Sequence, residues 1–162
     1  MKVHAMDYVE GFVEMVAGSD IKHVFDEKEK KLKVHRKTAM PLPEPFNYGF
    51  IKRTRSEDGD PLDVFIMSDS AIELGATVRL KPIGMLYVQD EMGIDNKIIA
   101  VPEGDSSHSD ISEIGEERIS KLTYLLEHNK DGMEGRWTKV SGIAGRDSAI
   151  SEIERSRRAQ ER

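Results

Sequence analysis

The stretch Asp58-Gly59-Asp60-Pro61-Leu62-Asp63-Val64 decides how this chain is read. Three carboxylates within six residues repel one another unless a cation or a proton sits among them. Gly59 permits a tight turn, Pro61 fixes the backbone after it, and Leu62 opens an apolar run. If Leu62 turns to the core, strand alternation puts Asp63 on the opposite face. The three acids would then stand at a strand entrance, facing a cavity. Taken alone, the segment reads as readily as a hydrophilic turn, which an Asp-Gly pair makes in any case. A calcium loop of the EF-hand type fails on spacing. With Asp58 at position one, Leu62 falls at position five, where a ligand belongs, and Asp63 at position six, where glycine is required.

A second acidic stretch, Asp90-Glu91-Met92-Gly93-Ile94-Asp95-Asn96-Lys97, falls in a turn between two strands. Two acid-rich turns at strand ends are less easily dismissed than one. Together they offer oxygen ligands only, with no thiolate and no paired-histidine spacing, which selects magnesium or manganese over zinc. Hard ions held by carboxylates commonly serve phosphate esters and anhydrides. Such a site also needs side-chain cations for the phosphoryl oxygens. Lys22, Arg36, Lys97 and Lys130 are candidates, and spacing alone does not select among them. The residues by themselves lead as far as metal-assisted phosphoryl chemistry.

Around these segments the chain reads as short strands followed by helices. Strands are expected over Tyr8–Val16, Lys31–Lys37, Tyr48–Arg53, Leu62–Met67, Ala76–Tyr87 and Lys97–Val101. Pro41, Pro43 and Pro45 make an irregular loop. Ile111, Ile114, Arg118, Leu122, Leu125 and Leu126 recur at helical steps, with Gly132 placed as a C-terminal cap and Lys130 suited to the last turn. A short strand near Trp137–Val140 and a second helix from about Asp147 follow, the latter expected to fray from about residue 155. This pattern is mainly β, or α+β: a small barrel with helices packed against it, in one domain over 1–162.

Composition narrows the function classes. The net charge of −6 and an aromatic share of 6% argue against a nucleic-acid binder. The basic runs Lys28–Lys37 and Arg155–Arg162 are broken by acids and read as solvated surface. The longest aliphatic runs, such as Ile98-Ile99-Ala100-Val101, are far too short to span a membrane, and no secretory signal is visible near Lys2, His4, Asp7 and Glu10. The absence of cysteine agrees with a cytoplasmic location.

At this point the residues resemble the soluble family I inorganic pyrophosphatases. Asp58 to Val64 looks like that family's signature segment, and Asn47-Tyr48-Gly49-Phe50-Ile51, eleven residues after Arg36, is similar to the segment before it. Asp90-Glu91, Asp95, Lys97 and Ala100-Val101-Pro102 resemble the second acidic segment, and Glu127-His128, Lys130 and Gly135-Arg136-Trp137 follow in the expected order. The resemblance implies a five-stranded OB-type barrel, with one long and one C-terminal helix, that hydrolyses inorganic pyrophosphate with several Mg2+ ions. Carried over, Asp58, Asp63 and Asp95 hold a first metal, Asp63 is shared with a second, Asp90 and Asp95 bind one arriving with substrate, and Glu14 binds a further one. Asp60 takes the proton of the attacking water, and Lys22, Arg36, Tyr48, Lys97 and Lys130 contact the phosphates. The family's bacterial members are hexamers, so a homo-oligomer is implied, with His128 at a subunit contact. Three positions depart from the pattern: Val24 for glutamate, Glu44 for an aromatic, and Asn129 for a tyrosine that reaches the phosphate. The alternative reading is a weakened relative acting on an organic pyrophosphate or sensing phosphate.

Overall fold

The computed structural model describes residues 8–161. Its strands are β1 Val9–Met15, β2 Ile21–Asp26, β3 Lys31–Lys37, β4 Phe46–Ile51, β5 Asp63–Met67, β6 Thr77–Asp90, β7 Gly93–Ile94, β8 Lys97–Pro102 and β9 Thr138–Gly145. A 3-10 turn, Ile111–Glu113, precedes helix α1, Glu116–His128, and helix α2, Arg146–Glu161, follows β9. Strands β1, β4, β5, β8 and β6 pair in that order, and β6 pairs back onto β1, closing a five-stranded ring. Every pairing in the ring is antiparallel except β5 with β8. That parallel pair is covered on both faces, which is why Val64–Met67 and Ile98–Val101 read as unbroken apolar runs. The mainly β barrel with two helices is the architecture expected.

Alternation along these strands feeds two apolar clusters. Val64, Ile66, Ile98 and Ala100 join Val13, Leu80 and Leu62, and α2 closes this cluster with Ala149 and Ile153. Phe65, Met67, Ile99 and Val101 point the other way, toward Leu122, Leu125 and Leu126 of α1. Asp63 therefore shares a face with Phe65, opposite the fully buried Leu62. Gly49 makes β4 fit β1: a Cβ there would lie 1.8 Å from the Phe12 carbonyl oxygen.

Several boundaries differ from expectation. Strand β2 was not foreseen, because its polar and apolar side chains follow no period of two and none is fully buried; pairing with β3 in a separate two-stranded sheet holds it. Strand β6 continues to Asp90 because β7 and β9 pair with its far end. Its Pro82 is accommodated at a register shift against β8. The strand near Trp137 extends to Gly145, its pattern masked by glycines.

The helical run expected from Ile111 is broken at Gly115, where φ is 97°. Ile111 and Ile114 are buried, but in and beside the 3-10 turn, whose N-terminus is held by a capping box between Asp110 and Glu113. Helix α1 ends at His128 with Asn129 as its C-cap, so Gly132 belongs to the following turn and Lys130 lies past the helix. Helix α2 runs through the segment expected to fray, with Ser156 fully buried beyond Ile153. Among the described residues, no helix is long and apolar enough to cross a membrane.

Candidate active site

The turn after β4 is held by its own short polar side chains. Thr54 Oγ1 donates to the Ile51 carbonyl at 2.6 Å and accepts from Leu62 N–H at 3.0 Å, which brings the chain back to start β5. Inside this turn the Ser56 hydroxyl lies 2.5 Å from Asp58 Oδ1 and 2.9 Å from the Asp60 carbonyl; its single proton is shared between them. Asp60 N–H also donates to Asp58 Oδ1 at 2.9 Å. The turn thus presents Asp58 and Asp60 outward while Asp63 begins the strand.

Parallel pairing aligns Val64 with Ile98, so the preceding residues Asp63 and Lys97 become neighbours. Lys97 Nζ reaches Asp63 Oδ2 at 2.5 Å and Asp95 Oδ2 at 2.9 Å. Burial alone would depress the Lys97 ammonium, but Asp63, Tyr48 and Asp95 together hold it well above its ordinary value. Burial pushes the Asp95 carboxyl up, with Asp63 and Asp58 adding to the shift and Lys97 opposing it. Tyr48 is likewise raised by burial and by Asp63, so its hydroxyl stays a neutral donor. Its ring packs on Phe65 at 5.0 Å between centroids, and the Lys22 and Lys97 ammonium groups lie 5.5 and 5.9 Å from its centre.

Strand β1 contributes Glu14 through a bulge. Val13 pairs with Gly49 and Met15 with Tyr48, leaving Glu14 unpaired and turned into the wall. It is 8% exposed, and burial raises its carboxyl to about 7, with Lys22 opposing and Asp63 and Asp60 reinforcing the rise. Across the β2–β3 hairpin Lys22 stands directly opposite Arg36. Like charges so placed repel, and an anion between them relieves the repulsion. The second acidic turn is tied to the chain beyond α1: Lys130 Nζ lies 3.1 Å from Glu91 Oε1 and 3.5 Å from Asp90 Oδ2, and Glu91 also accepts from Trp137 N–H at 3.0 Å. The Trp137 amide and Lys130 hold Glu91 down at about 2.

These pieces meet in one cavity of about 330 Å³. Asp58, Asp60, Asp63, Asp90, Asp95, Lys22, Arg36, Tyr48, Lys97 and Lys130, all singled out in the sequence, line it. Glu14 does not line it but sits within electrostatic reach. Arg136, Thr38 and Thr138 also line it and had been given no role; Arg136 Nε approaches Glu91 Oε2 at 3.6 Å. The signal for Arg136 was its place in the Gly135-Arg136-Trp137 segment, just before the strand expected near Trp137. Leu125, Leu126 and Asn129 form the wall from α1, and Asn129 Oδ1 is buried with no hydrogen-bond partner among the described residues. Glu44 is exposed, its carboxylate beside Gly18, and it does not line the cavity. The half-exposed Val24 does not line it either. Two departures therefore fall outside the cavity, and only Asn129 lies in it. His128 also lies outside, stacked on Tyr124 and 2.8 Å from Asp131 Oδ2.

The donor set fits a hard cation by its chemistry: among the described residues five carboxylates line one cavity with no thiolate or imidazole beside them, the only sulfur being the Met15 thioether. Among the described residues no three acids close into a ready-made cage, and the Lys97 ammonium holds Asp63 and Asp95 together instead.

Comparison with known proteins agrees with this chemistry. The family model described as inorganic pyrophosphatase matches residues 11–161. The inorganic pyrophosphatase of Saccharolobus solfataricus is 38% identical over 163 residues, 98% of this chain and 93% of that protein. That of Aquifex pyrophilus is 40% identical over 151 residues, 88% of this chain and 84% of that protein. The solved structure of the Helicobacter pylori inorganic pyrophosphatase is similar at a TM-score of 0.89 and 31% identity, covering 100% of this chain and 98% of that one. With the likeness running through both acidic turns and nearly every other part of the chain, the protein belongs to the inorganic pyrophosphatase family.

Proposed function

We propose that this inorganic diphosphatase hydrolyses pyrophosphate to two phosphates in the cavity between the barrel and α1, with magnesium as its ion and manganese as a substitute. The observation that carries this reading is the meeting of five aspartates with Lys22, Arg36, Lys97, Lys130 and Arg136 on one cavity. Asp58, Asp63, Asp90 and Asp95, with Glu14, would hold the ions. The ions would supply positive charge that acidifies the attacking water and offsets charge on the phosphoryl oxygens. Asp60 accepts the proton of that water. Lys22 and Arg36 from the hairpin, with Lys97, Lys130 and the Tyr48 hydroxyl, bind and orient the two phosphates. A sensor has no use for so costly a gathering of like charge, which favours turnover over the phosphate-sensing alternative.

The test is phosphate release from pyrophosphate with and without magnesium, beside a nucleoside triphosphate control. Release should require the ion and stop in excess chelator, because the acids repel one another without it. Magnesium should also raise Tm, since binding to the native state stabilises it by mass action. Undiminished turnover in chelator would overturn the assignment of the ion.

Asn129 gives a second measurement. A tyrosine hydroxyl at that position donates to an anionic oxygen, a bond worth roughly 1.5–3 kcal/mol. Asn129→Tyr also removes an acceptor that is buried without a partner among the described residues. It should raise kcat/KM about tenfold, equivalent to about 1.4 kcal/mol. The gain appears in KM if the contact is equal in ground and transition states, and in kcat if it tightens as charge develops. An unchanged or lower kcat/KM in a folded variant would show that the pocket is adapted to Asn129.

The proposal extends to a single domain over 1–162, a cytoplasmic location supported by the absence of cysteine, and a homo-oligomer of six chains. Exposed apolar side chains on the outer sheet, Tyr87 on β6 and Ile143 on β9, support self-association.

A further inference from the structure

Helix α2 touches the second acidic segment and the residues leading into the first, and one of its carboxylates is nearly out of solvent. The Glu152 side chain is 11% exposed. Its Oε2 accepts from Asn96 Nδ2 at 3.2 Å, and its Oε1 pairs with Arg155. Asn96 is the residue between Asp95 and Lys97. The other end of its amide is fixed as well, Oδ1 accepting from Val88 N–H at 3.0 Å, while Asp95 N–H donates to the Val88 carbonyl at 2.9 Å. The Asn96 amide therefore bridges β6 to α2, and Glu152 is its anchor on the helix side.

One turn further along α2, the Ser156 carbonyl accepts from Arg55 N–H at 2.9 Å, next to the Ser56 hydroxyl that holds Asp58. Arg155 faces Glu57 at 3.8 Å, but both side chains are nearly half exposed, so that pair is worth little. The weight falls on the Glu152–Asn96 contact, where a charged acceptor meets a donor away from bulk water.

We propose that Glu152 is a positioning residue for the reaction, fixing Asp95 and Lys97 in the cavity through the Asn96 amide without itself reaching the substrate. The inference rests on the diphosphatase reading for its consequence, and on α2 packing alone for its geometry. Glu152 does not line the catalytic cavity; it lines a shallower one on the outer side of the barrel, with Tyr87 and Arg155. Its effect on the site is thus indirect and runs through one side chain.

The test uses the full chain in three variants: Glu152→Ala, Glu152→Gln and Ile153→Ala. Magnesium binding is measured by calorimetry without substrate, and amide hydrogen exchange is followed at Asp95, Asn96 and Lys97 without metal. Glu152→Ala should raise the magnesium midpoint by about three- to tenfold, the scale of one lost hydrogen bond to a charged group, and speed exchange at those amides relative to Ile99. Glu152→Gln keeps an acceptor for Asn96 and should stay within about twofold of wild type. Ile153→Ala hollows the cluster under the same helix, so it should lower Tm without moving the midpoint. A wild-type midpoint and wild-type exchange in Glu152→Ala would overturn the proposal, as would an equal midpoint shift in Ile153→Ala. If the wild-type chain bound no magnesium, the functional reading would fall, and the exchange measurement alone would decide the role of Glu152.

Discussion

Asp60→Asn is expected to lower kcat by about two to four orders of magnitude, the usual range for a lost general base, while fold and magnesium affinity stay near wild type. The geometry of the turn explains why the loss should be confined to chemistry. Asp60 contributes to the turn through its backbone: its N–H donates to Asp58 Oδ1 and its carbonyl accepts from Ser56 N–H at 2.7 Å. Among the described residues its carboxylate has no hydrogen-bond partner, so replacing an oxygen by an amide nitrogen breaks nothing in the turn. The amide cannot take a proton at working pH. Asp63→Asn provides the contrast, because Asp63 is bound to Lys97 and faces the other acids. That variant should need more magnesium for half-maximal rate and recover much of its kcat at saturation. Initial rates across a magnesium series, with Tm as a check on folding, separate the two. A near wild-type kcat in Asp60→Asn would assign proton removal to another group.

What the sequence made legible follows from how locally each feature is encoded. The Asp58–Asp63 turn is contiguous, and its glycine and proline announce its shape, so the acids, the following strand and the inward turn of Leu62 could all be read directly. The parallel strands β5 and β8 were legible because covering both faces leaves an apolar run. Strand β2 was not, since its partner is β3 rather than the core and its side chains need not be apolar. The break at Gly115 was hidden for the opposite reason: Ile111 and Ile114 are as buried as any helix face would make them, and periodicity registers burial rather than backbone. Arg136 shows a different gap. Its approach to Glu91 depends on β9 pairing with β6, a contact across nearly fifty residues that spacing does not encode. The bridge from Glu152 through Asn96 to Asp95 is equally non-local.

The other large effect is expected at Lys97. Lys97→Met keeps the length and the apolar stem but removes the ammonium from between Asp63 and Asp95, whose side chains are only 22% and 20% exposed. Removing one partner of a buried ion pair leaves charge uncompensated and costs roughly 3–5 kcal/mol. Without metal, the urea midpoint should fall accordingly at an unchanged slope. Saturating magnesium should recover most of the loss, because a divalent cation among the same carboxylates replaces the missing charge. The deficit should also shrink in acid. Asp95 already has a raised pKa in the wild type, and loss of Lys97 raises it further, so the folded state binds that proton more tightly than the unfolded chain. Such a group favours the fold below its unfolded pKa and loses that contribution as pH rises through the folded value. With Lys97 in its proposed role on the phosphate, activity should not return with stability, and kcat/KM should stay low at saturating magnesium. A midpoint that falls equally with and without the ion would mean that no cation enters between Asp63 and Asp95, and the metal would have to be sought at Asp58 and Asp90 instead.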